Sequence, residues 1–314
     1  MGLSEILELI SGLALFLYGM NAMSAALEKR AGNKLKVFLS NATSNPIKGF
    51  ILGLVVTLVI QSSSATTVMV VGFVNSGIMT LSQSIGVIFG ANLGTSITAW
   101  ILSLQTLGET DVSFLKLFKP DTFVPIVAFI GVLLFAFQKN AKRKDVGMIL
   151  LGFSILMIGM DLMSGSVKGL GEIPAFQNIL VAFANPVLGV LVGTVFTAVI
   201  QSSSASVGVL QALSQTGAVS YATAVPIIMG QNIGTCVSAM ISSIGTGKNA
   251  RRAAIIHLSF NVIATIIILP VYYILINAIG SLGDFVTNSY TNPVTIAIVH
   301  TGFKIVALII ISPF

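Results

Sequence analysis

The chain reads as a series of long apolar runs joined by short polar segments. Runs long enough to cross a hydrocarbon core of about 30 Å, roughly 20 residues of helix, lie near 4–27, 82–104, 121–138, 146–165, 220–243, 253–277 and 292–312. These seven predict spanning helices. Two further runs, Pro46 to Gly77 and Pro186 to Gly217, are apolar at both ends but broken in the middle by the string Gln-Ser-Ser-Ser. Each is either a spanning helix with a polar centre or a re-entrant hairpin of two half-helices.

The broken runs belong to an internal repeat. Residues 45–104 lie on 185–244 at a constant offset of 140, without a gap and with 22 of 60 positions identical. Gln61-Ser62-Ser63-Ser64-Ala65 falls on Gln201-Ser202-Ser203-Ser204-Ala205. Gly90, Asn92, Gly94 and Thr95 fall on Gly230, Asn232, Gly234 and Thr235. Upstream, Gly19-Met20 and Met23-Ser24 meet Gly159-Met160 and Met163-Ser164. The predicted organisation is a first repeat over 1–140, a second over 141–280 and an additional C-terminal transmembrane helix over 281–314.

Composition places these runs in a bilayer. Hydrophobic residues make up 55% of the 314, charged residues only 8%, and the mean hydropathy is +0.98; an ordinary soluble domain carries roughly 25% charged residues. The net charge of +6 does not point to nucleic acid, because the basic residues cluster in joints between apolar runs, where they set orientation. Suppose both broken runs return to the side they left. Lys29, Arg30, Lys34, Lys36, Lys48, Lys139, Lys142, Arg143, Lys144, Lys248, Arg251 and Arg252 then share one side, opposite Lys116, Lys119 and Lys168. Single crossings would move the cluster at 139–144 away from the rest. The excess of positive charge on the cytoplasmic side therefore favours hairpins over about 46–77 and 186–217.

With hairpins, each repeat makes three crossings, an odd number, so the two copies enter the bilayer from opposite faces. The predicted fold is an all-α polytopic membrane protein of two inverted-topology repeats, each with three spanning helices and one re-entrant helical hairpin, plus a final spanning helix. Paired broken elements in inverted repeats are the architecture of secondary transporters, which hold substrate near the midplane. The expected location is the cell (inner) membrane. Glu5 and Glu8, with no early Lys or Arg, do not read as a cleaved signal peptide. The lone Cys236 rules out an intrachain disulfide and a thiolate metal cluster.

Irregular backbone at membrane depth is tolerated only where protein or a wet cavity satisfies it. Gln61, Ser62, Ser63 and Ser64, and their mates Gln201, Ser202, Ser203 and Ser204, suit such a tip. The half-helix leaving each string begins with free amide groups and a positive dipole end, and Ser is a good N-cap. Two tips meeting would offer two helix N-termini with hydroxyls and amides around one cavity, which is an anion site. The structural alternative is that the polar strings satisfy one another and hold helices together. Gly49 and Gly53, like Gly189 and Gly193, have the spacing that lets two half-helices approach closely.

Neither hairpin carries Lys or Arg beyond Lys48, so a multiply charged anion needs cations from elsewhere. Carbonyls of broken helices and Ser, Thr, Asn or Gln oxygens are hard neutral ligands suited to Na+. Proton coupling has few groups to use: Asp161, His257, His300 and Lys304. The second polar element, Gly90 to Thr95 with its mate Gly230 to Thr235, weakens a span and exposes carbonyls. Asn92 and Asn232 are candidate substrate contacts there, and Thr95 and Thr235 candidate cation ligands; a packed kink is the alternative. His257-Leu258-Ser259-Phe260-Asn261 echoes His300-Thr301-Gly302-Phe303-Lys304 at an offset of 43. Hydrogen bonding of these histidines between helices is the expected arrangement, with a metal or proton role as the alternative. Cys236 reads as a packing residue. No Ser-His-Asp set or carboxylate pair supports an enzyme.

The paired Gln-Ser-Ser-Ser strings, each followed by Gly-x-Asn-(Leu/Ile)-Gly-Thr, resemble the sodium-dependent phosphate cotransporter type II family over essentially the whole chain. The resemblance implies Na+-coupled uptake of inorganic phosphate by alternating access, with Na+ as co-transported ion and no organic cofactor. It carries substrate contacts to Gln61, Ser62, Ser63, Ser64, Gln201, Ser202, Ser203 and Ser204. Thr66 and Ser206, just beyond, would join Gln61, Ser64, Gln201 and Ser204 around the cations. Many bacterial relatives continue into a helical domain similar to the PhoU regulator, and the expectation is a short bacterial member without it. Relatives usually have Asn where this sequence has Lys304, which could repel Na+, pair with the anion or reach the interface. The expected partners are phosphate, sodium ions and the lipid bilayer, with a homodimer compatible but not required. Sulfate or a carboxylate as cargo, and a phosphate sensor without transport, are the rival readings.

Overall fold

A computed structural model describes residues 3–40, 45–104, 120–167, 169–170 and 173–313. Among these the chain is helical. In chain order the helices begin with α1 (Leu3–Ser40), α2 (Pro46–Ile60), α3 (Ser63–Asn75), α4 (Leu81–Gly94), α5 (Ser96–Ser103) and α6 (Pro120–Phe137). Then come α7 (Ala141–Val167), α8 (Pro174–Phe183), α9 (Pro186–Ile200), α10 (Ser203–Ser214), α11 (Tyr221–Gly234), α12 (Cys236–Ser242) and α13 (Lys248–Ala278). The chain ends with α14 (Gly280–Asn288) and α15 (Pro293–Ile311).

Six spans are long and apolar enough to cross a bilayer: Leu3–Ala31, Leu81–Ser103, Ala141–Val167, Tyr221–Ser242, Lys248–Ala278 and Pro293–Ile311. This is a multi-pass membrane protein. The span expected at 121–138 is shorter than the rest, with its apolar helix covering Thr122–Phe137. An element that sequence did not predict, α8, precedes the second broken run and bends by 98° into α9. Lys116, Lys119 and Lys168 lie outside the described residues, as do the side chains of Lys34 and Lys36.

Matched sequence gives matched local structure. The side chains of Asn45 and Asn185 accept hydrogen bonds from the first amides of α2 and α9, and Pro46 and Pro186 occupy the first helical position, where a missing N–H costs nothing. The breaks between α4 and α5 and between α11 and α12 fall at Thr95 and Thr235.

Glycines set the helix directions. A Cβ on Gly12 would strike the carbonyl of Gly159, and one on Gly19 the carbonyl of Gly152. Contacts that run forward on α1 thus run backward on α7, so these repeat mates pack antiparallel. Gly86 lies against the carbonyl of Pro46 and Gly90 against that of Phe50, a constant step that makes α2 and α4 parallel neighbours. Since α4 starts beside the start of α2, α3 must carry the chain back. The second repeat repeats this, with Gly230 on the carbonyl of Val190 and Gly234 on that of Thr194.

One expectation is corrected here. Gly53 and Gly193 face the carbonyls of Val87 on α4 and Ile227 on α11, not the other half of their own hairpin. The closest backbone approach lies between parallel neighbours, and only a residue without Cβ permits it. The second half of each broken run packs elsewhere as well, α3 on α13 and α12, and α10 on α7 and α5. The echo at offset 43 has a structural counterpart, because α15 packs on α5 as α13 packs on α12.

Candidate anion site

Each Gln-Ser-Ser-Ser string forms the same tight turn. Gln61 has φ 59° and ψ 25°, and Gln201 φ 57° and ψ 22°, the only non-glycine residues of positive φ among the described residues. A side chain in this left-handed region costs roughly 1–2 kcal/mol, and such strain gathers at functional sites. Each Gln amide still donates 2.7 Å to the carbonyl of Thr57 or Thr197, closing the incoming helix. Ser62 and Ser202 then cap the outgoing helices, accepting from the amides of Ala65 and Ala205 at 3.2 Å. A buried hydroxyl pair braces each turn: Thr57 donates to Thr66 at 3.0 Å, and Thr197 to Ser206 at 2.7 Å.

The two tips meet. All eight residues of the strings line one cavity of about 240 Å³, together with Met20, Asn21, Ser24 and Ile200. Ser64 Oγ donates to the carbonyl of Gln201 across the junction at 3.4 Å. The lining has no ionised side chain and mixes hydroxyls with the amino ends of α3 and α10. That volume lies below the roughly 300–1,000 Å³ of pockets for drug-sized ligands, which suits a small ion. Among the described residues, the Ser63, Ser203 and Ser204 hydroxyls make no protein hydrogen bond, so they are free to donate to a ligand.

The tips are not equivalent. Gln61 is 7% exposed, and its Oε1 accepts from Thr98 Oγ1 at 3.0 Å. Gln201 is exposed, and Ser238, the repeat mate of Thr98, donates to its backbone carbonyl at 3.5 Å instead.

The remaining predicted residues lie behind this cavity rather than on its wall. Asn92 Nδ2 donates to Asn261 Oδ1 at 3.0 Å, while Asn232 Nδ2 turns to the carbonyl of Ile228 at 2.8 Å. Thr95 and Thr235 donate to the carbonyls of Ala91 and Gln231. Thr66 donates to the carbonyl of Ser62, and the carbonyl of Ser206 accepts from Gln231 Nε2. A hydroxyl that donates to a carbonyl keeps lone pairs for a cation. Sequence reading missed Met20, Asn21 and Ser24, although the upstream extension of the repeat and two polar residues inside α1 were a usable signal. It also missed Gln211, fully buried, whose Nε2 donates to the carbonyls of Ala99 and Pro293 at 2.9 and 2.8 Å and so ties α10 to α5 and α15.

Two expectations for the echoed strings change. His257 and His300 are each 1% exposed, yet His257 Nδ1 and both His300 nitrogens have no partner among the described residues. Lys304 does not reach the interface; it is 2% exposed, with Nζ donating to the carbonyl of Asn92 at 2.6 Å. Cys236 is fully buried against α13, as a packing residue would be.

Sequence comparison shows the family. The profile of the family described as Na+/Pi-cotransporter matches residues 15–165 and 170–311. The chain belongs to the Na+/Pi-cotransporter family. It is 30% identical to YqeW of Bacillus subtilis over 269 residues, covering 84% of this chain and 83% of that protein. It is 28% identical over 278 residues to the protein named "Putative inorganic phosphate export protein YjbB" of Escherichia coli K12, covering 88% of this chain and 49% of YjbB. A shorter match, 36% over 110 residues, falls on human sodium-dependent phosphate transport protein 2B and covers 34% of this chain and 16% of that one. The chain thus spans about half the length of YjbB. No solved structure matches it.

Proposed function

We propose that the chain is a Na+-coupled symporter that imports inorganic phosphate by alternating access. Phosphate binds between the two hairpin tips, on Gln61, Ser62, Ser63 and Ser64 and on Gln201, Ser202, Ser203 and Ser204. The observation that carries this reading is the single uncharged cavity lined by both strings, with the amino ends of α3 and α10 at its wall. Helix amino ends and hydroxyls bind a phosphate-like oxyanion without a fixed positive charge. Its charge is then balanced by mobile cations, for which Gln61, Ser64, Thr66 and Thr95 and their mates Gln201, Ser204, Ser206 and Thr235 supply neutral oxygens. Asn92 and Asn232 hold the kinked spans behind the tips.

Inverted topology is supported by the antiparallel packing of α1 on its mate α7. A return of each hairpin to its side of entry is supported by the parallel pairs α2 with α4 and α9 with α11. The placement of charge is consistent, since Lys29 and Arg30 on α1 bond Asp145 and the carbonyl of Lys142 on α7, at 2.7 and 2.9 Å. The unlike states of Gln61 and Gln201 support a cycle in which the repeats exchange conformations and open the cavity to either face. An inner-membrane location and the division at 140 and 280 belong to the same reading.

Proteoliposomes that take up labelled phosphate test it. Uptake is expected to follow an inward Na+ gradient, and uptake that ignores Na+ removes the coupling. The export named for YjbB makes direction a second question. A symporter reverses with its driving gradients, so phosphate-loaded vesicles with an outward Na+ gradient should lose phosphate faster than vesicles without Na+. Equal competition by sulfate would assign a broader oxyanion site, and binding without counterflow exchange would indicate a sensor.

A further inference from the structure

Lys304 lies in the middle of α15 and is almost wholly enclosed, yet no salt bridge joins it to a carboxylate among the described residues. A buried ammonium is costly unless oxygen partners replace its water, and an intramembrane charge points to function when its partner is named. Here the partner is the carbonyl of Asn92, 2.6 Å away, three residues before the break between α4 and α5. Carbonyls of broken helices are the oxygens that hold alkali cations in secondary transporters. Lys is a compact point charge with three donors, so it meets such oxygens much as a metal ion does.

The second repeat provides the contrast. The carbonyl of Asn232, the mate of Asn92, receives the neutral thiol of Cys236 at 3.6 Å. The residue on α13 that matches Lys304 is Asn261, whose amide bridges Asn92 Nδ2 at 3.0 Å and Cys236 Sγ at 3.2 Å. One of two matched breaks therefore receives a lysine Nζ and the other a thiol. His300, one turn before Lys304 on the same helix face, leaves both ring nitrogens unpartnered among the described residues while 1% exposed. The interior beside the ammonium thus holds unused acceptor capacity as well.

We propose that the Lys304 ammonium is a tethered cation that holds the place of one alkali-metal ion at the first-repeat break, so that each anion travels with one Na+ fewer than two matched breaks would take. The inference rests on the reading of the chain as a Na+-coupled phosphate transporter. A charge tied to α15 cannot leave with the substrate, and like-charge repulsion keeps Na+ from the same carbonyl.

Equilibrium binding of radiolabelled Na+ to the purified full chain, with and without inorganic phosphate, tests the proposal. The sole tryptophan gives an optical readout, because Trp100 Nε1 donates to Thr301 Oγ1 at 3.0 Å one turn before Lys304. Lys304→Asn is expected to bind about one Na+ more per chain than the wild type, and the Hill coefficient for Na+ in phosphate uptake should rise by about the same amount. Lys304→Arg should keep the wild-type count. Lys304→Gln serves if the Asn variant does not fold, and Asn261→Lys is the converse, expected to lower the count by about one. Equal counts in wild type and a folded neutral variant overturn the proposal. So does loss of phosphate binding at an unchanged Na+ count, which would make Lys304 a partner of the anion. Wild-type uptake that ignores Na+ removes the functional reading instead, a result read in vesicles and separate from the binding count.

Discussion

Ser63→Ala removes one hydroxyl that makes no hydrogen bond within the protein among the described residues and that lines the cavity between the tips. Ser63 is the first residue of α3, and the cap belongs to its neighbour Ser62, which accepts from Ala65 N at 3.2 Å. Alanine is a better helix former than serine, so folding should not suffer. A hydrogen bond to a charged ligand contributes about 1.5–3 kcal/mol, and each 1.4 kcal/mol is a factor of ten, so the phosphate Kd should rise roughly ten- to a hundredfold. Ser203→Ala should do the same from the other repeat. Because both hydroxyls face one small cavity, the double variant should depart from simple addition. Ser62→Ala makes the contrast, since loss of a cap costs about 1 kcal/mol and should lower the thermal midpoint. The assays are equilibrium binding of labelled phosphate and thermal unfolding of the purified protein. Unchanged phosphate affinity in both Ser63→Ala and Ser203→Ala, with unfolding also unchanged, would refute the assignment of the tips to the anion.

Gly90→Ala drives a Cβ into the carbonyl of Phe50; overpacking against rigid backbone costs about 1–3 kcal/mol, so its thermal midpoint should fall, whereas Gly72→Ala, with nothing near its Cβ, should not destabilise. With the chain in the conformation described, Gln201→Cys should react with a water-soluble thiol reagent faster than Gln61→Cys, and Na+ with phosphate should change that ratio; equal rates under all conditions would argue against exchange between unlike tips. Asp145→Asn breaks an ion pair with Lys29, whose side chain is 70% exposed, and surface pairs contribute about 0–1 kcal/mol, so little change in unfolding is expected.

The repeat, its polar strings, the helix caps and the breaks at Thr95 and Thr235 are written in the chain, because each depends on residue type at short spacing. Asn before Pro starts a helix by itself, and Ser after a break caps the next one. Family membership is legible for the same reason, since the double motif is a pattern of neighbours. Other features depend on what lies across the fold. The glycines of α2 state only that something approaches closely; that it is α4 and not α3 follows from parallel packing. Sequence left three fates for Lys304, and its burial against the carbonyl of Asn92 removes the interface. The left-handed turn at Gln61 and Gln201 has no local signature, because Gln does not favour positive φ, and surrounding contacts impose it. The difference between those two residues is the clearest case. Identical strings sit in unlike surroundings, since relating two repeats in sequence fixes their local structure but not the neighbours each one meets.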